Sequence, residues 1–300
     1  MGAEQNITAV VSLYNPDSAV VPHCAALLQQ VGHVVAVDDG SPDDVAGILA
    51  ELEGLGCQVL RLERNLGIAT ALNAGIRAAR QHPHAPSFIL TMDQDSMLEP
   101  DYTGKLLSAH DAATSAGIAV AMVAPASIAG LPTRRRGVLK GVILGGEPIQ
   151  SGLLVPCQVL DTLGLLMDEL FIDGVDTEFY LRARKAGMES VLAPDALLGH
   201  ALGSMVPASI FGVALSPRGK PLQIRTAASY RYYYIFRNRL LLVRRYWRSQ
   251  PSWAVKGLLA DYRHLFIVTT LAPGRGNRLW SVLAGILDGL RGRSGPRTPA

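Results

Sequence analysis

Residues 58–95 read QVLRLERNLGIATALNAGIRAARQHPHAPSFILTMDQD, and this stretch decides the fold. A short apolar strand is predicted at 58–62, and a helix at 68–81 carries an apolar side chain every three or four residues. A further strand is predicted at 88–92 and leads directly into Asp93 and Asp95. A strand, a helix and a strand in this order predict parallel strands that are joined by a right-handed crossover.

The same alternation continues toward the N-terminus. Strands are predicted at 7–13 and 34–37, and helices at 19–30 and 42–53, the second with Ser41 as its N-cap. Because the ligands of parallel sheets bind at the carboxyl ends of the strands, we expect one cleft there. It would be lined by the polar residues that follow the strands, namely Tyr14, Asn15, Asp38, Asp39, Arg64, Asn65, Asp93 and Asp95.

Composition indicates a folded chain without a membrane span. Hydrophobic residues make up 49% of the 300 residues and charged residues 18%, which excludes disorder for most of the chain. The N-terminus lacks a basic segment ahead of its apolar residues, and no uncharged stretch resembles a spanning helix. The three scattered cysteines have no metal-binding or redox spacing, which is typical of a reducing compartment. We therefore predict a cytoplasmic protein.

Charge divides the chain near residue 217. Residues 218–300 contain 16 Lys and Arg but two acids, whereas residues 1–217 contain 12 Lys and Arg and 23 acids. This asymmetry predicts an α/β domain at 1–217 and a basic helical region at 218–300. The aromatic helix predicted from residue 230 either lies on an anionic membrane surface or packs its apolar residues on the catalytic domain. No nucleic-acid recognition fold accompanies it, so nucleic acid is not an expected partner.

Two aspartates one residue apart, Asp93 and Asp95, suit a Mg²⁺ or Mn²⁺ ion that bridges to a diphosphate. Such a cation helps a nucleoside diphosphate to leave. Solvated surface acids are the alternative, but the position after a fourth predicted strand favours the metal site. Asp39 could accept hydrogen bonds from a nucleoside, or belong only to a capped turn before a helix. The helix amides that follow Asn65 and Gly67 could receive a phosphate or ribose, although N-x-G alone is a weak signal.

A second cluster of acids lies in residues 171–187, FIDGVDTEFYLRARKAG. Asp176 is predicted in the first turn of a helix, where an ionised carboxylate either acts as a general base or only stabilises the helix. Arg182 lies four residues after Glu178, at the spacing of an ion pair that would support this helix. His200, in an uncharged stretch, is either a core residue or a third metal ligand.

Together these segments resemble glycosyltransferase family 2, whose members are inverting enzymes with a GT-A fold. The resemblance extends, in order, over residues 10–17, 35–44, 64–76, 90–96 and 171–187. The sequence is similar in particular to the bacterial rhamnosyltransferase branch, through DQDS at 93–96, FIDGVDTEF at 171–179 and RYYYIFRN at 231–238. One departure is Val175, where many members have an acid directly before the base.

The resemblance implies a Rossmann-like, mostly parallel sheet flanked by helices, followed by the basic helical extension. Nucleotide-sugar binding would fall at about 1–110, and acceptor binding with catalysis at about 111–217. The site residues that it implies are Tyr14, Asn15, Asp39, Asn65, Gly67 and Asp93 for the nucleotide sugar, Asp93, Asp95 and His200 for the divalent cation, and Asp176 as catalytic base, with Glu178 and Arg182 in support.

The implied reaction moves L-rhamnose from dTDP-L-rhamnose, with inversion, to a lipid-linked glycan such as an O-antigen, at the inner face of the cytoplasmic membrane. A rhamnolipid-type acceptor or another nucleotide sugar is an alternative within the same class. A nucleotidyltransferase is a different-class alternative, although Tyr14-Asn15-Pro16 stands where its phosphate loop would lie. A non-catalytic module that binds sugar nucleotides is the other.

Overall fold

The computed structural model describes residues 6–42, 44–199, 204–210 and 213–297. The chain forms two compact units. The first consists of Met1–Asp168 and Val175–Ala201, and the second of Glu169–Gly174 and Leu202–Ala300. A short internal segment therefore belongs with the C-terminal part of the chain. The functional boundary expected near residue 217 stays a prediction.

Within the described residues, the first unit contains an eleven-stranded sheet in which seven central strands follow the order β3-β2-β1-β4-β10-β6-β11. Six of these strands point the same way, because only β10 runs antiparallel to its neighbours β4 and β6. The expected mostly parallel α/β sheet is thus confirmed. The strands are β1 (Ile7–Leu13), β2 (His33–Asp38), β3 (Gln58–Arg61), β4 (Phe88–Asp93), β5 (Met97–Leu98), β6 (Val120–Ile128), β7 (Leu131–Pro132), β8 (Arg135–Leu139), β9 (Val142–Gly145), β10 (Leu153–Pro156) and β11 (Glu189–Gly199).

Helices cover this sheet because its central strands are continuously apolar rather than alternating. Val10 of β1 and Val35 of β2 are completely buried. Helix α3 packs on both strands at Gly75, where a Cβ atom would lie 2.3 Å from Val10 Cγ1. The helices of the first unit are α1 (Val20–Leu28), α2 (Ala46–Gly54), α3 (Ile68–Gln81), α4 (Tyr102–Ser115), α5 (Cys157–Leu163) and α6 (Val175–Lys185).

The prediction that Ser41 caps a helix beginning at residue 42 is wrong. Helix α2 begins at Ala46, and Val45 occupies its N-cap position. The Ser41 hydroxyl instead donates to Asp38 Oδ1 at 2.5 Å and accepts the Asn15 amide at 2.8 Å. Because the side chain is engaged in joining two strand ends, it does not serve the helix.

In the part of the second unit that the structure describes, short strands are followed by three long helices. Its core contains Tyr232, Phe236, Val268, Ala272 and Val282. None of the helices in the described part of the chain is long and apolar enough to cross a membrane. The elements are β12 (Ser204–Pro207), β13 (Ser209–Ile210), β14 (Val213–Ala214), β15 (Gln223–Thr226), α7 (Ser229–Tyr246), α8 (Pro251–Leu271) and α9 (Arg275–Leu290).

The basic and aromatic block of the sequence forms α7, and its aromatic residues are largely buried inside the second unit. Tyr232, Tyr233, Tyr234, Phe236 and Tyr246 are at most 5% exposed. This face of α7 therefore belongs to the core of the second unit, and the two expected partners of the helix, the membrane and the catalytic domain, stay predictions.

Helix α7 also holds the internal segment 169–174. The Asn238 side-chain amide donates to the carbonyl oxygens of Leu170, Ile172 and Asp173 at 2.9, 2.8 and 2.6 Å. Asp173 has a left-handed φ of 62°, so the segment turns sharply just before α6 begins. One buried side chain therefore bonds to several carbonyls of a segment whose backbone is mostly irregular.

Candidate active site

The loops that follow β1, β2 and β4 are joined by hydrogen bonds. The Tyr14 amide donates to Gln94 Oε1 at 2.8 Å, and the Asn15 amide donates to Ser41 Oγ at 2.8 Å. His23 Nδ1 lies 3.0 Å from the Gln94 carbonyl oxygen. The structure therefore brings the predicted residues Tyr14 and Asn15 next to the TMDQDS turn at one edge of the sheet.

Asp39 ties the end of β2 to the turn that follows β3. Its two carboxylate oxygens accept the Leu66 and Gly67 amides, each at 2.8 Å. Asn65 Oδ1 accepts the same Gly67 amide at 3.1 Å. Burial raises the pKa of the Asp39 carboxyl, the two amides oppose this, and the neighbouring Asp38 adds to it. The three residues predicted for the donor pocket, Asp39, Asn65 and Gly67, thus form one hydrogen-bonded turn.

The turn at Asp38-Asp39-Gly40 needs its glycine. Gly40 has a φ of 64°, and a Cβ atom there would lie 2.2 Å from the Arg64 carbonyl carbon. Asp38 is completely buried and forms an ion pair with Arg61 Nε at 3.2 Å. Close approach of the two loops therefore depends on a residue without a side chain.

The TMDQDS turn begins at the last residue of β4. Asp93 is partly buried and Asp95 is exposed, and the Ser96 amide donates to the Asp93 carbonyl oxygen at 3.2 Å. Ser151, which is completely buried, supports this turn from below. Its hydroxyl accepts the Asp93 amide at 3.0 Å and lies 2.7 Å from the Ser96 hydroxyl. Sequence reasoning missed Ser151.

The neighbours of Ser151 fix its position. The Thr91 hydroxyl donates to the Gln150 carbonyl oxygen at 2.6 Å, and the Gly152 amide donates to the Thr91 carbonyl oxygen at 2.8 Å. Gly152 has a φ of 77°, and a Cβ atom there would lie 2.5 Å from the Tyr102 hydroxyl oxygen. The one sequence signal was a Ser-Gly pair before an apolar run, which predicts a turn but not its partner.

Asp176 lies in the first turn of α6 and is partly exposed. Its Oδ1 accepts the Thr177 amide at 2.7 Å, and the Thr177 hydroxyl donates to Glu147 Oε1 at 2.5 Å. An ionised carboxylate at a helix N-terminus is stabilised by the helix dipole. The Asp176 carboxylate is therefore accessible from solvent, as a general base must be.

The predicted ion pair behind Asp176 is present. Glu178 is 1% exposed, and its Oε2 lies 2.6 Å from Arg182 Nη2. The Arg182 guanidinium also donates to the carbonyl oxygens of Leu163 and Leu165, at 2.6 and 2.9 Å. Arg182 therefore fastens α6 to the loop after α5.

Strand β11 connects the two acidic regions. Helix α6 packs on β11, and β11 pairs with β5, which follows the TMDQDS turn. Gly199 pairs with Met97, two residues beyond Asp95. His200, the predicted third metal ligand, lies outside the described residues.

The acidic residues that could hold a cation are Asp93 and Asp95. Across residues 6–42, 44–199, 204–210 and 213–297, no group of three or more His, Cys, Asp or Glu is gathered as a metal site. Mg²⁺ is commonly bound through one or two carboxylates together with substrate phosphates, so this pair fits a cation that arrives with a diphosphate.

Known proteins resemble the chain over these same elements. The sequence model of Glycosyl transferase family 2 matches residues 8–141. A Shigella flexneri protein named dTDP-rhamnosyl transferase RfbF is 27% identical, over 97% of this chain and 97% of its own.

Two solved structures share the fold. A crystal structure of S. aureus TarS 1-349 in complex with UDP-GlcNAc matches 96% of this chain and 92% of its own, with a TM-score of 0.53 and 12% identity. A crystal structure of GalNAc-T7 with UDP, GalNAc and Mn²⁺ matches 65% of this chain and 43% of its own, with a TM-score of 0.52 and 14% identity. The sheet order and the motifs at its carboxyl edge agree with this match, and over residues 8–141 the chain is similar to glycosyl transferase family 2.

Proposed function

We propose that the chain transfers L-rhamnose from dTDP-L-rhamnose to a hydroxyl group of a lipid-linked glycan or glycolipid, with inversion at the anomeric carbon. The observation that carries the proposal is the gathering of Tyr14, Asn15, Asp39, Asn65 and Asp93 at one edge of a parallel sheet. The near full-length similarity to a dTDP-rhamnosyl transferase supports the choice of sugar.

The donor would lie across the carboxyl ends of β1 to β4. Asp39 would contact the nucleoside, since carboxylate oxygens that each accept one amide retain a further lone pair for a base or ribose donor. Asn65 and Gly67 would shape the pocket beside it, and Tyr14 and Asn15 would border the opposite side. Gly67 is the N-cap of α3, which leaves the first helix amides available for a phosphate.

The reaction would be metal-dependent. Asp93 and Asp95 would hold a Mg²⁺ or Mn²⁺ ion, which when bound neutralises the charge on the departing diphosphate. The GalNAc-T7 structure, which contains UDP and Mn²⁺, supports this choice by analogy of fold. His200 is proposed as a further ligand on the resemblance alone.

Asp176 would act as the catalytic base. Its carboxylate would take the proton of the acceptor hydroxyl, whose oxygen then forms a bond to the anomeric carbon while the bond from that carbon to the diphosphate breaks. The products are the glycoside and dTDP. Glu178 and Arg182 would keep α6 in place, because their ion pair fastens the helix that carries the base.

A product assay on the purified chain tests this proposal. The protein is incubated with a panel of nucleotide sugars and with lipid-linked and glycolipid acceptors, and products are identified by mass spectrometry. We expect rhamnosylated acceptor and dTDP from dTDP-L-rhamnose, and loss of turnover in EDTA. If another nucleotide sugar is turned over faster, the donor assignment changes to that sugar. Release of pyrophosphate would indicate a nucleotidyltransferase. Binding without turnover would indicate a non-catalytic module.

Asp176→Asn tests the base. We expect donor binding to be retained and transfer to fall by roughly 10²–10⁴-fold, because the amide accepts no proton. Asp195→Asn, an exposed aspartate on β11, is the matched control and should transfer at the wild-type rate. A wild-type rate in Asp176→Asn would remove Asp176 from the mechanism.

Asp95→Asn tests the metal site. We expect cation-dependent donor turnover to fall sharply and the cation concentration for half-maximal residual activity to rise, because one oxygen ligand loses its charge. Asp111→Asn, another exposed aspartate, provides the control. Unchanged cation dependence in Asp95→Asn would contradict the assignment.

A further inference from the structure

Exposed large apolar side chains are concentrated near the end of the chain. Among the described residues 21 such side chains are exposed, and eleven of them lie between Trp247 and Leu290. Single exposed apolar residues are normal, but contiguous apolar surfaces mark interaction sites. On α8 and α9 the exposed apolar residues form stripes and are not isolated.

Helix α8 exposes one continuous apolar stripe. Val255, Leu259, Tyr262 and Phe266 follow each other at intervals of four, three and four residues and are 57%, 66%, 49% and 72% exposed. This spacing places all four on one side of the helix. The stripe lies apart from Val268, which α8 contributes to the core.

Helix α9 presents a second stripe. Trp280, Leu283, Leu287 and Leu290 are 68%, 55%, 51% and 67% exposed, again at intervals of three or four residues. The opposite side of α9 packs so closely on α7 that a Cβ atom at Gly285 would lie 2.3 Å from a backbone oxygen of that helix. One side of α9 is therefore committed to the core, and the apolar stripe faces solvent.

Basic side chains flank these stripes. Lys256 and Arg263 each follow a member of the α8 stripe and are exposed. The two aspartates in this part of the chain already have partners inside the unit, Asp261 in Arg239 and Asp288 in Tyr233, Arg291 and Arg293. Further exposed basic residues of the region are Arg244, Arg245, Arg248, Arg291 and Arg293.

We propose that the exposed stripes of α8 and α9 form a surface that docks on an anionic lipid bilayer. Apolar side chains, with Trp280 and Tyr262 among them, would enter the headgroup boundary, and the flanking Lys and Arg would bind lipid phosphates. A second copy of the chain fits less well, because it would bring two strongly basic surfaces together. The inference concerns the second unit alone and holds whichever sugar is transferred.

Vesicle flotation with the full-length protein tests the proposal. We expect binding to vesicles that contain phosphatidylglycerol, weak binding to pure phosphatidylcholine, and a decrease as salt is raised. The variant Lys256→Glu with Arg263→Glu should bind roughly tenfold or more weakly. The variant Leu259→Ser, Phe266→Ser and Trp280→Ser should lose binding even at low salt. All these positions are exposed, so melting temperatures should match the wild type.

Matched variants in the first unit test whether vesicle binding depends on this particular surface or only on net charge and the number of exposed apolar side chains. Arg77→Glu with Lys185→Glu changes the net charge equally, and Val138→Ser with Leu139→Ser removes other exposed apolar side chains. Both should bind vesicles like the wild type. The proposal would be overturned if these controls lost binding equally, or if the wild type did not bind vesicles at low salt. It would also be overturned if the wild type did not bind vesicles but formed a dimer that the apolar variant dissociates. Turnover of dTDP-L-rhamnose with a water-soluble acceptor, measured on all variants, reports on the proposed transferase activity independently.

Discussion

At the scale of single residues, the TMDQDS turn depends on a hydroxyl group that lies far away in the sequence. Ser151 is 55 residues beyond Ser96, yet its Oγ contacts both the Asp93 amide and the Ser96 hydroxyl. Carboxylates that hold a cation must be placed accurately by the residues behind them. Ser151 has this supporting position, although it is not itself a proposed ligand.

We expect Ser151→Ala to weaken donor turnover and the response to cation, because the Asp93 amide loses this acceptor. The loss of a buried hydrogen bond should also cost about 1–3 kcal/mol of stability. Steady-state kinetics with varied cation and a urea titration measure the two effects. Ser127→Ala is the control, since that hydroxyl donates to the Leu131 carbonyl oxygen at an exposed position. Kinetics of Ser151→Ala that match this control would contradict the supporting role.

The polar residues that follow the parallel strands could be predicted from the sequence, whereas Ser151 could not. Asp39, Asn65 and Asp93 follow predicted strands, so the topology of a parallel sheet sufficed to gather them. Ser151 precedes β10, the one central strand that runs the other way, and no local pattern states which strand it will join. Its partner depended on long-range pairing.

At the scale of secondary structure, one arginine fastens the helix that carries the proposed base. Arg182 bonds to Glu178 on its own helix and to the carbonyl oxygens of Leu163 and Leu165. Glu178 is 1% exposed, so this partner rather than water lies against its carboxylate.

Arg182→Met should therefore cost about 3–5 kcal/mol, because it leaves the buried Glu178 carboxylate without the guanidinium. Urea unfolding measures the loss. Arg80→Ala breaks the exposed ion pair with Asp161 and should cost at most about 1 kcal/mol. Similar losses in the two variants would show that the buried pair has no special importance.

Strong periodicity and buried apolar runs made most early elements predictable. Strand β1 and helix α3 have the bounds expected from the sequence, at Ile7–Leu13 and Ile68–Gln81. The start of α2 was misplaced because Ser41 had two competing roles, and the bond to Asp38 prevailed over the helix cap. Side-chain hydrogen bonds of this kind compete with capping and leave no periodic signal.

At the scale of the whole molecule, residues 169–174 belong to the second unit, although the residues on both sides of them in the sequence belong to the first. The Asn238 amide holds three carbonyl oxygens of this segment. The sequence predicted one boundary near residue 217, because charge composition changes there once. Composition carries no information about a six-residue segment that packs with a distant helix.

Asn238→Ala should loosen residues 169–174, because the carbonyl oxygens of Ile172 and Asp173 lose this donor, and Asn238 itself is only 1% exposed. We expect faster amide hydrogen exchange in this segment and a lower transfer rate, since the segment leads directly into α6 and Asp176. Asn277→Ala, an exposed asparagine on α9, is the control and should change neither. Unchanged exchange at 169–174 in Asn238→Ala would show that other contacts hold the turn.

The arrangement of the two units also limits how such proteins can exchange parts by recombination. The backbone passes between the units after residues 168, 174 and 201. A single crossover near residue 201 would join a foreign C-terminal region to residues 169–174, which evolved in contact with the original α7. A working hybrid gene must therefore carry the six codons for 169–174 together with the codons from 202 onward, so these distant stretches are inherited as one module.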